Sequence, residues 1–271
     1  MKIAVVAPAC PLDPAVPERI LGLAAMRFGA GAPEIFFHPH CFLEDGHFAG
    51  SDVVRASALL EVANDPGIDA IWFARGGYGS NRILPLVLPK LNKAAQAKTY
   101  LGYSDMGFLL GALYKKGIGK VAHGPMVSDI KRKVGEGAAQ RALDWLVRGE
   151  VSALEPTSIG NKCTVFNIMI LSHLIGTPWM PDLSGHILML EEVDEHYYAL
   201  DRAFFHITSN PTVRKVAGIR LGRCGDIPEN DRAFGMDEEA ICRHWCAVSG
   251  IPYLGRADVG HDAENKIVVF G

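Results

Sequence analysis

The sequence lacks an excess of charge of either sign and any long hydrophobic run. Its 271 residues include 27 lysines and arginines against 30 aspartates and glutamates, a formal net charge of −3. Proteins that bind nucleic acid or membrane surfaces carry a basic stripe, and none is present here. No stretch approaches the roughly 18 uninterrupted apolar residues of a transmembrane helix. We therefore expect no nucleic-acid partner and no membrane partner.

Cysteine is also sparse, and no cluster of it suggests a disulfide framework or a metal site. The six cysteines are scattered, and the one close pair, Cys242 and Cys246, has no second pair to complete a zinc site. We interpret that pair as buried thiols on a helix. The apolar run Ile3–Ala7 is cut off by Pro8, too early for a signal-peptide core. A cytoplasmic protein with reduced thiols is the expectation.

Glycine and proline, in contrast, are abundant, with 29 and 16 residues. Hydrophobic residues make up 49% and charged residues 21%, as in ordinary globular chains, so wholesale disorder is excluded. In the first half, apolar strand-like runs alternate with helix-like segments, which predicts βαβ units and a parallel sheet. The predicted strands are 2–7, 34–38, 69–74, 99–103 and 121–122, and the clearest predicted helices are 14–29, 52–63, 108–114 and 137–147.

This alternation stops near 149–161, where Pro156 and Gly160 suggest a linker. Beyond it, strand-like and helix-like segments follow without a tandem βα rhythm, and the chain ends in a β-rich segment at 266–270. We therefore predict an α/β protein with an N-terminal parallel-sheet domain over 1–150 and a linker over 151–164. A smaller C-terminal α+β domain over 165–271 completes it, with the active site in the cleft between the domains.

A glycine-rich loop, Arg75-Gly76-Gly77-Tyr78-Gly79, follows the third predicted strand. Ligands of open α/β sheets bind at the carboxyl ends of strands, and adjacent glycines leave backbone N–H groups open to an oxyanion or phosphate. The loop has neither the Gly-x-Gly-x-x-Gly dinucleotide pattern nor a Walker A lysine. A simple glycine turn and a nucleotide-binding protein without a fingerprint remain alternatives.

A serine lies at the apex of a strand-turn-helix segment, Leu101-Gly102-Tyr103-Ser104-Asp105-Met106-Gly107. Such a turn exposes a hydroxyl and directs the first N–H groups of the helix toward its ligand. A helix N-cap is the alternative interpretation of Ser104, and Asp105 as the cap would leave Ser104 free.

A serine nucleophile needs a base and an acid that orients the base. Two carboxylates and a histidine near the end of the chain are the candidates for these roles. Glu191 and Glu192 end an apolar strand, where successive side chains face opposite sides, so at most one points into a site. His261 lies in a loop before the final strand. A serine hydroxyl needs a base, and the base needs an acceptor behind it, so Ser104, His261 and Glu191 are compatible with a triad.

Taken in order, these loops resemble the LD-carboxypeptidase family of serine peptidases, which includes the microcin C self-immunity hydrolases. The shared stretches run from residue 6 to residue 261: Val6-Ala7-Pro8, Ala74–Gly79, Leu101–Asp105, His123–Met126, Leu174–Pro178, Ile187–Glu192, Tyr198–Arg202 and Gly260-His261. The resemblance implies that Ser104, Glu191 and His261 are catalytic and that the N–H groups of Gly77 and Asp105 form the oxyanion hole. Arg75, Gly76 and Tyr78 are then expected to contact substrate.

The same resemblance implies an activity. Family members cleave the amide between an L-centre and a D-amino acid, and the peptidases release the terminal D-alanine of a cytoplasmic murein tetrapeptide during cell-wall recycling. They use no metal or cofactor, and a homodimer is expected. A microcin-like amidase and a non-catalytic peptide-binding relative are the alternatives.

This chain departs from the family pattern at two places in the second domain, the first of them before that domain's first helix. Val165-Phe166-Asn167 stands where the family usually has Gly-Gly-Asn, and Glu192 where it usually has aspartate. We expect the first difference to bear on the shape of the cleft, and so on substrate choice more than on reaction type.

Overall fold

One mostly parallel six-stranded sheet, one parallel four-stranded sheet and nine α-helices make up the computed structural model, which describes residues 1–271. The strands are β1 (Lys2–Val6), β2 (Glu34–Phe37), β3 (Ala70–Phe73), β4 (Thr99–Gly102), β5 (Lys120–His123), β6 (Cys163–Asn167), β7 (Ile187–Val193), β8 (Gly218–Gly225), β9 (Tyr253–Arg256) and β10 (Val268–Val269). The helices are α1 (Val16–Phe28), α2 (Asp52–Asn64), α3 (Ser80–Val87), α4 (Lys93–Gln96), α5 (Gly107–Lys116), α6 (Gly135–Arg148), α7 (Ile168–Leu174), α8 (Tyr197–Ser209) and α9 (Glu238–Ser249). None of these helices is both long and apolar enough to cross a membrane.

The first sheet has the strand order β10-β5-β4-β3-β1-β2, and its first five strands in the chain are parallel. The central strands are buried on both faces, which explains their continuous apolar runs. Alternate residues of β1 enter two different cores: Ile3 and Val5 pack with α1 and α6, and Ala4 and Val6 face α2, α3 and α5. The α/β class is confirmed.

The second sheet has the order β6-β7-β8-β9, and all its strands are parallel. Helices α7, α8 and α9 connect them, so the α+β description of this half is wrong. The alternation of strands and helices is hard to recognise in this part of the sequence, because two of the strands have weak sequence signals. β6 follows the Pro156–Gly160 segment and lies partly in the predicted linker, and β9 is an edge strand whose residues alternate between half-buried and exposed.

The chain returns to the first sheet at its end. Strand β10 pairs antiparallel with β5, with Val268 opposite His123. The final β-rich segment therefore belongs to the sheet formed by the first half of the chain. This return carries the loop that precedes it, residues 257–267, across the junction between the two sheets.

The junction itself is closed by Phe166 of β6. Its ring lies close to Gly107 and Gly111 of α5, where added Cβ atoms would come within 3.6 Å and 3.3 Å of it, and it packs against Phe270 with ring centroids 5.5 Å apart. Phe166 is 1% exposed. The Val165-Phe166 departure is thus part of the core that joins the two halves, because glycines on the facing helix make room for the ring.

We expect Phe166→Ala to lower the free energy of unfolding by about 3–5 kcal/mol, the usual cost of removing a buried phenylalanine. Urea unfolding measures this. The matched control is Phe205→Ala, because Phe205 is 52% exposed, and its loss should stay below about 1 kcal/mol. Equal losses in the two variants would contradict the assignment of Phe166 to the junction core.

Candidate active site

Ser104 lies on a sharp turn directly after β4. Its backbone φ is +59°, a left-handed conformation that is uncommon outside glycine. It begins a single 3-10 turn, Ser104–Met106, which runs into α5. The hydroxyl caps neither this turn nor α5. The N-cap alternative for Ser104 is therefore wrong, and so is the cap role considered for Asp105.

The carboxylate of Asp105 instead holds the glycine-rich loop. It accepts the N–H of Ser80 at 2.9 Å and that of Gly79 at 3.3 Å, and the Ser80 hydroxyl donates to the Asp105 carbonyl oxygen at 2.6 Å. Burial raises the pKa of Asp105 to about 6, although the N–H groups oppose this. The start of α3 and the serine turn are in this way tied together.

These hydrogen bonds hold the glycine-rich loop close to Ser104, where a side chain in place of Gly76 would crowd the serine. A Cβ built on Gly76 would lie 3.0 Å from Ser104 Oγ. Gly77 has a φ of +107°, and a Cβ there would lie 2.4 Å from Cys10 Sγ. The N–H of Gly77 donates to no backbone carbonyl. It is therefore free to bind an anionic or carbonyl oxygen beside Ser104.

On the other side of the junction, His261 donates a hydrogen bond through Nδ1–H to Glu191 Oε2. Glu191 is fully buried, the side chain of His261 is 7% exposed, and the Nε2 atom of His261 has no partner. Burial alone would lower the pKa of His261, but the Glu191 carboxylate, with a smaller contribution from Glu192, outweighs it and raises the pKa above 6.5.

A bulge between β7 and β8 directs Glu191 toward this position. The register shifts between Leu190 and Glu192, and a Cβ built on Gly222 of β8 would lie 2.9 Å from the Cβ of Glu191. Bulges of this kind re-aim side chains next to active sites. Gly222 therefore makes room for the carboxylate.

Glu192 binds the start of α7 and does not bind His261. Its carboxylate accepts the N–H groups of Met169 and Val193, each at 2.9 Å, and the side-chain amide of Asn167. Burial, followed by the charge of Glu191, raises its pKa to about 7. Glu192 thus secures the start of α7, and Asn167 caps the same helix through the N–H of Ile170.

An aromatic and hydrogen-bonded support behind His261 is not apparent from the sequence pattern. The Tyr103 ring lies 4.8 Å from the His261 ring, centroid to centroid, and its hydroxyl donates to Asp129 at 2.9 Å. Asn265 accepts from the N–H of Gly260 at 3.1 Å and contacts His123 at 3.2 Å. Tyr103 and His123 belong to stretches shared with the family, and Asn265 follows His261 by four positions. These places in the sequence are the signal that could have found them.

A cavity of about 460 Å³ joins these parts. Its lining from the first half includes Arg75, Gly76, Gly77, Ser104 and Asp105, and its lining from the second half includes Asn167, Met169, Ile170, Glu192, Val193, Asp194, Glu195 and His261. Tyr78 lies outside it and lines a neighbouring, mostly apolar cavity of about 690 Å³. Val165 and Phe166 line neither, so the departure expected to shape the cleft lies in the core instead.

The arrangement has the parts of a nucleophilic hydrolase. A serine hydroxyl on a strained turn and an imidazole with a free Nε2 border one cavity, and a buried carboxylate lies behind the imidazole. No group of three or more His, Cys, Asp or Glu side chains is arranged to hold a metal ion.

Comparison with known proteins identifies the family. Residues 3–124 match the model of the LD-carboxypeptidase N-terminal domain, and residues 163–271 match that of the C-terminal domain. The chain belongs to the LD-carboxypeptidase family. It is accordingly a serine-type carboxypeptidase, a hydrolase, and the resemblance stated from the sequence motifs is confirmed.

Named relatives span most of the chain. The murein tetrapeptide carboxypeptidase of Pseudomonas aeruginosa is 26% identical over 83% of this chain and 78% of its own length. The crystal structure of muramoyltetrapeptide carboxypeptidase from Oxalobacter formigenes superposes with a TM-score of 0.77 at 24% identity, covering 99% of this chain and 93% of that one. The microcin C7 self immunity protein in its wild type apo state gives a TM-score of 0.79 at 19% identity, covering 100% and 91%. The two structures establish the likeness of the fold.

We expect Glu191→Gln to lower the pKa of His261 below its value in the unmodified protein, because the carboxylate that opposes the effect of burial is removed. NMR titration of the His261 imidazole measures the change. Glu192→Gln is the matched control and should produce a smaller fall, since Glu192 acts on His261 only through its charge at longer range. An unchanged pKa in Glu191→Gln would contradict the electrostatic role of the pair.

Proposed function

We propose that this chain hydrolyses the L,D-amide bond of a murein tetrapeptide and releases its terminal D-alanine through a triad of Ser104, His261 and Glu191. The observation that carries the proposal is the buried Nε2 atom of His261, which has no partner although it borders the same cavity as the Ser104 hydroxyl. A buried polar atom without a partner is costly, so its place in a cavity favours a ligand or a transferred proton there.

The first half of the reaction forms an acyl-enzyme. His261 Nε2 takes the proton of Ser104 Oγ as that oxygen attacks the substrate carbonyl carbon, and Glu191 stabilises the imidazolium. The N–H groups of Gly77 and Asp105 donate to the oxyanion, and one such donor contributes about 3–4 kcal/mol in other hydrolases. The imidazolium then protonates the leaving amine, the amide C–N bond breaks, and D-alanine departs.

Water completes the cycle. His261 removes a proton from a water molecule that attacks the ester carbonyl, and the imidazolium returns the proton to Ser104 Oγ as the ester C–O bond breaks. The shortened peptide leaves with its new carboxylate. Every step uses groups of this chain and water.

Arg75 supplies a reason for carboxypeptidase rather than endopeptidase action. Its guanidinium makes one long contact, 3.5 Å to the carbonyl oxygen of Pro11, and pairs with no carboxylate. It directly precedes Gly76 and Gly77 on the loop that borders the cavity. A free cation beside the oxyanion donors fits the terminal carboxylate of the leaving D-amino acid.

The relatives support the wider setting of this proposal. The Pseudomonas aeruginosa protein is named for murein tetrapeptide, and a role in cytoplasmic cell-wall recycling follows for a chain that acts on the same peptide. The homodimer implied by the family resemblance is retained as part of the proposal.

Incubation with murein tetrapeptide should release D-alanine, and Ser104→Ala should abolish the release, because the nucleophile is then missing. The measurement is an enzymatic assay of free D-alanine, with fluorophosphonate labelling of Ser104 in parallel.

No release together with normal labelling would contradict the murein substrate while leaving the catalytic machinery in place. A microcin-like peptidyl nucleotide is then the substrate to assay. Neither release nor labelling would indicate a binding relative without turnover.

We expect Arg75→Gln to raise KM for the tetrapeptide by about 10- to 100-fold with little change in kcat, the usual effect of losing a hydrogen bond to a charged group. Steady-state kinetics measures both constants. Arg19→Gln is the matched control, because Arg19 is an exposed arginine of α1 outside the cavity.

A tetrapeptide with a C-terminal carboxamide sharpens the test. The unmodified enzyme should bind this carboxamide as weakly as Arg75→Gln binds the peptide with a free terminal carboxylate. Arg75→Gln should bind the carboxamide with the same affinity as the unmodified enzyme does. If the losses of affinity caused by Arg75→Gln and by the carboxamide add together, the terminal carboxylate does not bind at Arg75.

A further inference from the structure

The loop that carries His261 is held from inside the protein by one amide side chain. Asn265 Oδ1 accepts the N–H of Gly260 at 3.1 Å, and the same oxygen lies 3.2 Å from Nε2 of His123. Gly260 directly precedes His261 in the chain, so this contact restrains the backbone from which the imidazole projects. Asn265 is fully buried and His123 is 2% exposed, so bulk water does not compete for these bonds.

The hydrogen atoms of this contact follow from the one donor that cannot change its role. A backbone N–H can only donate, so the Asn265 atom that faces Gly260 is its oxygen. Nε2 of His123 faces that same oxygen and therefore carries a hydrogen. Burial lowers the pKa of His123 to about 4, which keeps the imidazole neutral near pH 7 with Nε2–H as the donor to Asn265.

The amide nitrogen of Asn265, in contrast, is buried without a partner. A buried polar atom that makes no hydrogen bond is destabilising, so a contribution to core stability does not explain this side chain. Both of its bonds pass through the oxygen, and both join the loop before His261 to His123. An amide of which only the oxygen is used is accounted for by a role in holding this loop.

His123 is a fixed reference point for the loop. It is the last residue of β5, and its backbone pairs with Gly102 of β4 on one side and with Val268 of β10 on the other. Gly102 lies two positions before Ser104. The contact with Asn265 therefore ties the loop that carries the base to the strand pair that carries the nucleophile.

A second anchor of the loop lies on its solvent side. Arg223 pairs with Asp258 and Asp262, which flank His261 in the chain, and these three side chains are all partly exposed. Ion pairs that water reaches restrain a loop weakly. The buried contact of Asn265 is thus the one that fixes the height of the loop above β5.

We propose that Asn265 and His123 are positioning residues for His261, which they hold in line with Glu191 and Ser104. The inference rests on the proposed triad, and it gives the first half of the chain a part in aligning the base as well as in supplying the nucleophile. Neither side chain borders the catalytic cavity, so both act through the backbone of Gly260.

The test removes the donor at position 123 and then restores it. His123→Leu takes the donor away and keeps most of the volume, whereas His123→Gln keeps an N–H group for Asn265 Oδ1. We expect His123→Leu to lower kcat for D-alanine release, and the rate of fluorophosphonate labelling of Ser104, by about 10- to 100-fold. KM should change by less than about twofold, because a misplaced base slows the chemical step and leaves the contacts to substrate in place. His123→Gln should recover most of both rates.

Asn265→Leu tests the same contact from its other side. It should slow labelling as much as His123→Leu does, and the double variant should lose little more than either single variant, because both substitutions break one chain of hydrogen bonds.

NMR titration of the His261 imidazole separates positioning from a loss of structure. His123 is neutral near pH 7, so its removal takes no charge away from the site. A fall in the pKa of His261 in His123→Leu then reports a longer distance to the Glu191 carboxylate, and we expect this fall together with its recovery in His123→Gln.

His186→Leu is the matched control. His186 is a fully buried histidine whose imidazole bonds the Tyr114 hydroxyl at 2.7 Å, outside the catalytic cavity. Its loss should leave the labelling rate and the pKa of His261 unchanged, and urea unfolding shows that each variant is folded under the conditions of the assay.

Labelling of His123→Leu and Asn265→Leu at the unmodified rate, or no recovery in His123→Gln, would overturn the inference, and D-alanine release by the unmodified enzyme would then leave the proposed function standing. Slower labelling in both leucine variants, with no D-alanine released by the unmodified enzyme, would support the positioning role and refute the murein substrate. An unmodified enzyme whose Ser104 takes no label would refute the triad and this inference with it.

Discussion

The hydrogen bond between Glu191 and His261 is the contact on which the arrangement of the site depends. A fully buried carboxylate is costly unless a partner compensates it, and the second oxygen of Glu191 has none. The pair therefore stays together only if strand β7 and the loop that carries His261 are held in place by other means. The return of β10 to the first sheet provides this, because it anchors the far end of that loop beside β5. Arg223 anchors the near end through Asp258 and Asp262.

Helix starts near the site are secured by carboxylates that come from distant parts of the chain. Asp105, 25 positions after Ser80, accepts the first N–H of α3, and Glu192 accepts the N–H of Met169 at the start of α7. Each contact joins two elements that border the cavity. Unsatisfied N–H groups at a helix start favour an acidic partner, so these contacts stabilise the helices and position the loops together.

The same contacts explain what could be predicted from the sequence and what could not. The strand that precedes Ser104 and the strand that bears Glu191 stand out as apolar runs that end in polar residues. The first was predicted over 99–103 and is observed over Thr99–Gly102, and the second was predicted to end at Glu191 and Glu192 and is observed over Ile187–Val193. Helix α3 was not predicted, because it begins after glycine, contains Pro85, and takes its capping group from Asp105. Tyr103 reads as an ordinary core residue, since only the fold brings the His261 loop against its ring. Local sequence patterns thus locate the loops that carry the candidate catalytic side chains. The long-range contacts that align these loops cannot be predicted from such patterns.

The groups around His261 are arranged so that one carboxylate governs its protonation. Burial lowers the pKa of His123 to about 4, so that this imidazole is neutral near pH 7 and adds no positive charge. Burial likewise raises the pKa of Tyr103 well above its usual value of 10.0, so its ring supports His261 as a neutral surface. Arg132 lowers the pKa of His261, but its guanidinium is paired with Asp129. Glu191 is then the dominant charge at the imidazole. The Glu191 carboxylate therefore stabilises the protonated form of His261, and this favours the transfer of a proton from a serine hydroxyl to the imidazole.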